Sequence, residues 1–335
     1  MIKLLIITLL LIVAIRAEEI NVPYVEEKQG LIQSAILAPD GNSFYTLKDD
    51  LVTKWQLSPI KKLLSFETSI DYKKGSVGYQ INVSNDNKRV ILYSSKEIQL
   101  WDIQSQKHLK TVKENLYSGV RSKYGFLTIG EKNVLSIWDD KSLTLETSID
   151  FNEFIANPAY SMLNGDNILI VNYFDNVLSF DLNTLKIIDM VREDWDGFDQ
   201  LDVKLNTFTT KVKNKYSDKF NPFNFYLYMK DIGKPRLQKT ISSYKVSINS
   251  NEIVLLKFFD NYRFVKVSLK ESGKFKKHLY HLYQFDNTII LRFGSTFTGA
   301  GNLKKYVKMK TKDGKILPIN NATFKEYNKN INLKD

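Results

Sequence analysis

The stretch Leu100-Trp101-Asp102-Ile103 ends an alternating run of apolar and polar residues that begins at Glu97. Such alternation predicts a half-buried β-strand, and the polar residues that follow it predict a turn. Variants of the same line occur at Lys54-Trp55-Gln56-Leu57, Ile137-Trp138-Asp139-Asp140 and Ser179-Phe180-Asp181-Leu182. This recurrence decides the fold, because an internal repeat of nearly constant length predicts a repeat architecture.

Each copy has a turn marker at nearly the same distance before its aromatic residue, which we call the anchor. The intervals are fourteen, fourteen, thirteen and thirteen residues, measured from Gly41 to Trp55, Asn87 to Trp101, Gly125 to Trp138 and Asn167 to Phe180. Alternation and turn residues also predict four strands within a copy. In the second copy these strands are predicted at about 77–83, 89–94, 97–102 and 108–112.

Four-stranded units predict an all-β fold, the β-propeller, because a small sheet buries both faces only when several such sheets pack radially. Weaker anchors continue the repeat at Tyr228, Val265 and Val307. Seven anchors at roughly 45 residues each favour seven blades, with six and eight as alternatives. A further alternative is a partial propeller followed by a basic β domain after about residue 200. Strands at 19–25 and 315–319 are the candidates for closing the ring.

The Trp-Asp pairs at Trp101-Asp102 and Trp138-Asp139 resemble the signature of the WD-repeat family of β-propellers. The resemblance is clear over residues 31–190 and degenerate over 200–320. The Gly-His pair and the buried Asp-His-Ser/Thr-Trp network of that family are missing from the sequence. The resemblance implies a non-enzymatic scaffold that binds a partner protein through loops on a propeller face. Among such proteins, the chain is similar to small periplasmic WD-repeat accessory proteins that accompany respiratory enzymes such as periplasmic nitrate reductase.

Residues 1–17 are predicted to be a cleaved signal peptide, which leaves 18–335 as a single propeller. Lys3 supplies the positive charge, residues 4–15 the apolar run, and Ala17 the small residue before the cleavage point. Contact with a membrane is expected only if this segment is retained as an anchor. The chain has no cysteine, which excludes disulfides and thiolate metal sites. These features predict a periplasmic or secreted protein.

Charge is unevenly distributed along the chain. Residues 18–200 carry 19 Lys and Arg against 27 Asp and Glu, a net of −8, whereas residues 201–335 carry 27 against 10, a net of +17. This asymmetry predicts a partner that is acidic where it faces the C-terminal half. Nucleic acid is not expected as the partner of an exported protein. No cofactor and no metal site are predicted.

Acidic residues in the turns between second and third strands are candidates for lining the central channel: Asp49, Asp50, Asp175 and Asp260. Aspartates are also ordinary turn residues, because they tolerate positive φ. If such carboxylates converged, the alternative function would be that of a propeller hydrolase acting on lactones or glycans. The sequence shows no G-x-S-x-G or H-E-x-x-H motif, so no catalytic residue is predicted.

Aromatic residues in predicted loops are the candidate contacts for a partner protein, because exposed aromatic side chains often dominate protein interfaces. Trp195 and Phe198 lie in a predicted connection between blades, flanked by acids, and Phe297 lies in a glycine-rich stretch at 294–301. The remaining candidates flank turns between second and third strands, namely Tyr173, Phe174 and Phe259.

Overall fold

The computed structural model describes the residues that form the sheets and most of their turns. They are 22–26, 30–68, 70, 79–130, 134–150, 158–164, 168–173, 176–192, 244–248, 251–258, 261–269 and 275–329. Within them the chain is almost entirely β-structure, as predicted.

Four antiparallel sheets of four strands follow one another along the chain, and we call them blades A to D. Blade A contains β2 (Ser34–Leu37), β3 (Ser43–Lys48), β4 (Leu51–Leu57) and β5 (Ile60–Glu67). Blade B contains β6 (Gln80–Val83), β7 (Arg89–Tyr93), β8 (Glu97–Asp102) and β9 (His108–Lys113). Blade C contains β10 (Leu116–Ser122), β11 (Gly125–Gly130), β12 (Val134–Trp138) and β13 (Leu145–Asp150). Blade D contains β14 (Pro158–Asn164), β15 (Ile168–Tyr173), β16 (Asn176–Asp181) and β17 (Lys186–Arg192).

The blades are arranged radially, because their first strands lie beside one another and their faces pack together. Strand β2 contacts β6, and β10 contacts both β6 and β14. Separate apolar clusters fill the spaces between blades: one joins Leu100 of blade B to Phe126 of blade C, and another joins Leu127 of blade C to Phe180 of blade D. This is the packing of a β-propeller, and it confirms the predicted fold class.

Each aromatic anchor lies in the third strand of its blade, opposite an irregularity in the fourth. The pairing register shifts immediately before Trp55, Trp101, Trp138 and Phe180. In blade B, for example, Leu100 pairs with Lys110 while Trp101 pairs with His108, so that Leu109 is the extra residue of a β-bulge. The repeat found in the sequence therefore corresponds to the same local geometry in all four blades. The fourth strand bends at a bulge opposite the buried aromatic side chain of the third strand.

Part of the WD-repeat polar network, which the sequence was expected to lack, is present in the structure. The indole nitrogens of Trp55 and Trp138 donate 2.8 Å hydrogen bonds to the hydroxyls of Thr46 and Thr128 on the second strands. In blade B the corresponding second-strand position is occupied by Leu92, two residues beyond the partner of Trp101. There the indole donates instead to Gln99, at 3.1 Å. A Thr-Trp hydrogen bond like that of the WD-repeat network is thus present in two blades, and a Gln-Trp hydrogen bond takes its place in a third.

The aspartate of each Trp-Asp pair organises the turn that follows. One carboxylate oxygen of Asp102 accepts hydrogen bonds from the backbone amide and the hydroxyl of Ser105, both at 2.7 Å. Asp139 accepts the same two bonds from Ser142, at 2.7 and 2.6 Å. These hydrogen bonds lower the pKa of both aspartates. Tryptophan and aspartate therefore have separate structural roles, in the core and in the turn.

A six-stranded sheet follows the described part of blade D. It contains β18 (Tyr244–Ile248), β19 (Asn251–Phe258), β20 (Asn261–Leu269), β21 (Phe275–Phe285), β22 (Thr288–Phe293) and β23 (Thr296–Ala300). The sheet packs against blade A, and its residues Leu282, Ile289 and Leu291 join the apolar cluster of blades A and B. The predicted anchor Val265 lies in β20, the third strand of this sheet.

The last predicted repeat differs from a four-stranded blade. Strands β22 and β23 extend the preceding sheet, and the stretch 294–301, expected to be a loop, contains a tight turn followed by β23. The anchor position Val307 lies in a separate three-stranded sheet, in the order β1 (Val22–Val25), β24 (Val307–Lys310) and β25 (Ile316–Pro318). The prediction that Val307 anchors a seventh four-stranded blade is therefore wrong, while Tyr228 lies outside the described residues. Seven blades stay a prediction.

The two ends of the described chain meet in this three-stranded sheet, which we call the terminal sheet. Strand β1 pairs with β24, and β25 pairs with the other side of β24, so the two predicted closing strands share one sheet without pairing directly. Val25 and Val307 are fully buried against the six-stranded sheet. Two short helices, α1 (Leu303–Tyr306) and α2 (Asn321–Tyr327), flank the terminal sheet. No helix among the described residues is long and apolar enough to span a bilayer.

Candidate functional site

The order of antiparallel strands places two kinds of turn at the same end of every blade. The turns between first and second strands and those between third and fourth strands lie at one end, which we call the bonded face. The turns between second and third strands lie at the other end, the opposite face. Hydrogen bonds between side chains and turns of successive blades run along the bonded face, from blade A to blade D.

Blades A and B are joined through Asp40 and Asn87. Asp40 accepts hydrogen bonds from the backbone amides of Asn42 and Ser43, at 2.8 and 3.1 Å, which fix its own turn. The side-chain amide of Asn87 donates to the same carboxylate at 2.6 Å. The hydroxyl of Tyr45 donates to the side-chain amide oxygen of Asn87 at 2.9 Å. Asn87 thus contacts both the turn and the second strand of blade A.

Blades B and C are joined through Asn85 and Asp140. The backbone amide of Asn85 donates to the Asp140 carboxylate at 2.6 Å, and its side-chain amide donates to the backbone carbonyl of Ser122 at 2.7 Å. Asp140 is 4% exposed. Burial raises the pKa of Asp140, and the nearby carboxylates of Asp86 and Asp139 raise it further, although the Asn85 amide and Lys141 oppose the shift.

Blades C and D are joined by a hydrogen bond from the Tyr124 hydroxyl to the side chain of Asn183. The ammonium group of Lys123 lies over the Tyr124 ring, 4.8 Å from its centroid. Lys123 is exposed and Tyr124 is half-buried. This aromatic ring is therefore held from two sides while part of its surface remains accessible.

The candidate carboxylates of the opposite face are only partly described. Asp49 and Asp50 are exposed neighbours in the turn between β3 and β4, where Asp49 has a φ of 57°. The backbone carbonyl of Asp50 accepts hydrogen bonds from the amide and hydroxyl of Thr68. Asp49 thus occupies the positive-φ position of a tight turn, which aspartate tolerates. Asp175 and Asp260 lie outside the described residues, so their convergence with Asp49 stays a prediction.

The predicted aromatic contacts have different outcomes. Phe297 is 1% exposed and packs against Phe324 of α2, with ring centroids 5.3 Å apart. Its ring belongs to the core under the terminal sheet, so the expectation that it is an exposed contact is wrong. Tyr173 is the last residue of β15. The other candidates, Trp195, Phe198, Phe174 and Phe259, lie outside the described residues.

The residues that join the blades were not identified by sequence reasoning. Asn85, Asn87 and Asp140 were visible as turn formers, and the bonds they make reach residues 37 to 55 positions away. The available signal for Asn85 and Asn87 was that they lie in the turn marker of their repeat. Asp140 has no polar counterpart, since the same position is Leu57, Ile103 and Leu182 in the other repeats. Among the described residues, no group of three or more His, Asp or Glu side chains is arranged to hold a metal ion.

The fold and the repeated anchors define a β-propeller protein with WD-repeat-like blades. No family profile and no curated protein sequence match the chain. Many solved structures are similar to it, among them U3-55K and AztD. U3-55K has a TM-score of 0.39 and 12% identity, over 82% of this chain and 91% of that one. Apo AztD from Citrobacter koseri has a TM-score of 0.35 and 12% identity, over 49% of this chain and 47% of that one. These likenesses carry no conclusion about activity, and the propeller assignment depends on the sheets described above.

Proposed function

We propose that this chain is a non-enzymatic, exported scaffold that binds a partner protein on the bonded face of its propeller. The observation that carries the proposal is the series of hydrogen bonds between blades, which fixes the turns of four blades relative to one another. A surface whose loops are ordered before binding loses less conformational entropy when a partner arrives. Binding loops held by a rigid scaffold are the usual arrangement for recognition.

The chemistry of the bonded face indicates a polar partner surface with complementary charge. Its exposed side chains carry charges of both signs. Asp86 and Lys88 lie on a turn of blade B, and Lys123 and Lys141 lie on turns of blade C. Tyr124 supplies an aromatic surface beside Lys123. Charges at the rim of an interface chiefly set the association rate and the choice of partner, while an aromatic residue supplies affinity.

Site-directed photo-crosslinking tests this assignment. A photoreactive phenylalanine analogue would replace Lys88 or Lys123 on the bonded face, or Lys96, which is equally exposed in a turn of the opposite face of blade B. We expect one partner protein of the exported compartment to crosslink from positions 88 and 123 and not from 96. Crosslinking of that partner from 96 alone, or from none of the three, contradicts the proposal.

Export is a separate part of the proposal and is supported by the signal-like segment 1–17. Mass spectrometry of the protein recovered from its native compartment should show Glu18 as the first residue. An intact N-terminus starting at Met1 would instead identify a retained anchor. Association with a periplasmic respiratory enzyme rests on the sequence resemblance alone, and the crosslinked partner would identify it or replace it.

A further inference from the structure

The hairpin formed by β24 and β25 carries a combination of charge and exposed apolar surface that the proposed function does not use. Eight lysines occur between residues 301 and 329, against only Asp313 and Glu326 as acids. Four of these lysines lie in the hairpin, at 308, 310, 312 and 315. A cluster of this kind attracts an anionic surface.

Two large aliphatic side chains lie beside these lysines on the outer strand of the hairpin. Ile316 is 51% exposed and Leu317 is 43% exposed. Six other large apolar residues among those described are exposed to a similar degree, but only Ile316 and Leu317 are adjacent in sequence. Strand β25 has no second neighbour among the described strands, so both side chains lie at the edge of the terminal sheet.

The turn of the hairpin is closed by backbone hydrogen bonds, and its tip is exposed to solvent. Across the turn, the backbone amide of Thr311 donates to the carbonyl of Lys315, and the amide of Gly314 donates to the carbonyl of Thr311, both at 2.9 Å. At the tip, Gly314 has a φ of +86°, and a Cβ added there would meet no atom within 4 Å. At its base, Val307 and Met309 are buried and paired with β1.

Most lysines of the hairpin keep their charge available to a ligand. Lys315 forms a 2.9 Å ion pair with Asp313, in which both side chains are more than half exposed. The ammonium group of Lys310 lies 5.5 Å from the centroid of the Tyr24 ring, which holds it on the outer side of the terminal sheet. No described carboxylate forms an ion pair with Lys308, Lys310 or Lys312.

We propose that the β24–β25 hairpin docks the protein on an anionic phospholipid bilayer. Ile316 and Leu317 would enter the interface between headgroups and acyl chains, while the lysine ammonium groups contact lipid phosphates. Ile316 and Leu317 are consecutive in β25 and therefore lie on opposite faces of the sheet, Ile316 opposite Lys310 and Leu317 opposite Met309. An exposed sheet edge with an aliphatic side chain on each face suits a deformable lipid interface, whereas a partner protein would need a matching cavity. Charge complementarity selects anionic over neutral lipid. This contact uses neither the bonded face nor residues 1–17.

Co-sedimentation of the purified chain with lipid vesicles tests the proposal. We expect binding to vesicles of mixed phosphatidylserine and phosphatidylcholine, and little binding to phosphatidylcholine alone. Since each lysine near an anionic surface contributes about 1 kcal/mol, or about fivefold in partition, the double variant K310E/K312E should lose at least about tenfold. The variant I316S/L317S should lose a comparable factor, because both aliphatic side chains would no longer be buried in lipid.

Matched controls separate the hairpin from general charge and apolarity. The variant K96E/K107E makes the same charge change on exposed turns of blade B, and L63S/L109S removes two leucines that are 46% and 48% exposed on blades A and B. Both should bind within about twofold of the wild type if the hairpin is the site. Melting temperatures of all variants establish that they are folded.

Three results would overturn the proposal. The first is failure of the wild type to bind anionic vesicles. The second is equal loss in the hairpin and control variants, which would indicate attraction without a site. The third is full retention of vesicle binding by I316S/L317S, which would show that the lysines are attracted to the charged surface without insertion of the hairpin.

Discussion

The indole nitrogen of Trp138 donates a 2.8 Å hydrogen bond to the hydroxyl of Thr128, and both side chains are buried at the blade interface. This bond crosses from the third strand to the second strand of blade C and recurs between Trp55 and Thr46 in blade A. A buried indole N–H without an acceptor is costly, so the threonine is needed wherever the anchor is tryptophan and no other acceptor is near. Blade B satisfies the same requirement with Gln99, and blade D avoids it with Phe180.

Substitution of Thr128 by valine should therefore destabilise the protein by about 1–3 kcal/mol, because it keeps the shape and removes the acceptor. Chemical denaturation measures the change in the free energy of unfolding. Thr53→Val is the matched control, since the Thr53 hydroxyl is also buried but has no hydrogen-bond partner among the described residues. The control should be neutral or stabilising. Equal effects of the two substitutions would show that the Trp-Thr bond contributes nothing specific.

A pH dependence is expected from Glu97 in blade B. Burial on its own would raise the pKa of Glu97, but hydrogen bonds from Lys113, Tyr79 and Gln99 together hold it below its usual value. The ionised form thus stabilises the fold at neutral pH, and this contribution is lost as the pH falls through the lowered pKa. Glu97→Gln should be less stable than wild type at neutral pH, with the difference shrinking below about pH 4.

Denaturation curves at several pH values measure that difference. The control is Glu146→Gln, in the exposed fourth strand of blade C, whose effect on the free energy of unfolding should be small at every pH. A constant difference between wild type and Glu97→Gln across the acid range would contradict the assignment of Glu97 as an ionised, hydrogen-bonded group.

The contribution of Asp140 to stability should depend on pH in the opposite direction to that of Glu97, because burial raises the pKa of Asp140. The folded state favours the protonated form, so this group's contribution to stability falls as the pH rises from its unfolded pKa through its higher folded pKa. Asp140→Asn keeps an oxygen that accepts the Asn85 amide and removes the buried charge. The variant should equal or exceed wild type in stability at neutral pH and lose that advantage in acid, as measured by thermal unfolding. A large loss of stability at neutral pH would contradict this account.

Substitution of Val25, in strand β1 of the terminal sheet, is expected to lower the free energy of unfolding strongly. Val25 is 1% exposed and packs with Val307 against the six-stranded sheet. Val25→Ser would leave a cavity and a poorly paired hydroxyl, and should cost about 2 kcal/mol or more in denaturant unfolding. The neighbouring Glu26 is exposed, so Glu26→Ser should change stability by less than about 0.5 kcal/mol. Similar values for both would show that β1 does not help to hold the fold.

Strand positions in the first four repeats were predictable because each depends on local features. In blade B the predicted strand at 97–102 matches β8, and the predicted strand at 108–112 matches all but the last residue of β9. The anchors were predictable as well, since Trp101 and its equivalents combine a large apolar side chain with a fixed distance from a turn. The bulge opposite each anchor was not predictable. An extra residue in a fourth strand interrupts the alternation of apolar and polar residues in the same way as a turn does, so the sequence does not distinguish the two.

Pairing over long distances was less predictable. Sequence spacing predicted that Val307 would anchor a blade. Whether β22 and β23 begin that blade or extend the previous sheet depends on which strand edge they pair with, and the spacing does not determine this. Phe297 lies among glycines that suggested a loop. Its ring is covered by Phe324 of α2, which lies 27 residues later in the sequence. The contacts between blades depend in the same way on side chains that meet only after the sheets have stacked.

The central claim is that the Trp-Asp repeat anchors the blades, while recognition takes place on the surfaces they hold. Trp101 is 6% exposed and packs against Phe66 of blade A and His108, with ring centroids 6.0 and 5.1 Å apart. The decisive measurement is the free energy of unfolding of Trp101→Ala beside Leu109→Ala, whose side chain is 48% exposed on the adjacent strand. We predict a loss of about 3–5 kcal/mol for the tryptophan variant and less than about 0.5 kcal/mol for the leucine variant. A tryptophan variant that unfolds like wild type but no longer crosslinks its partner would contradict the account.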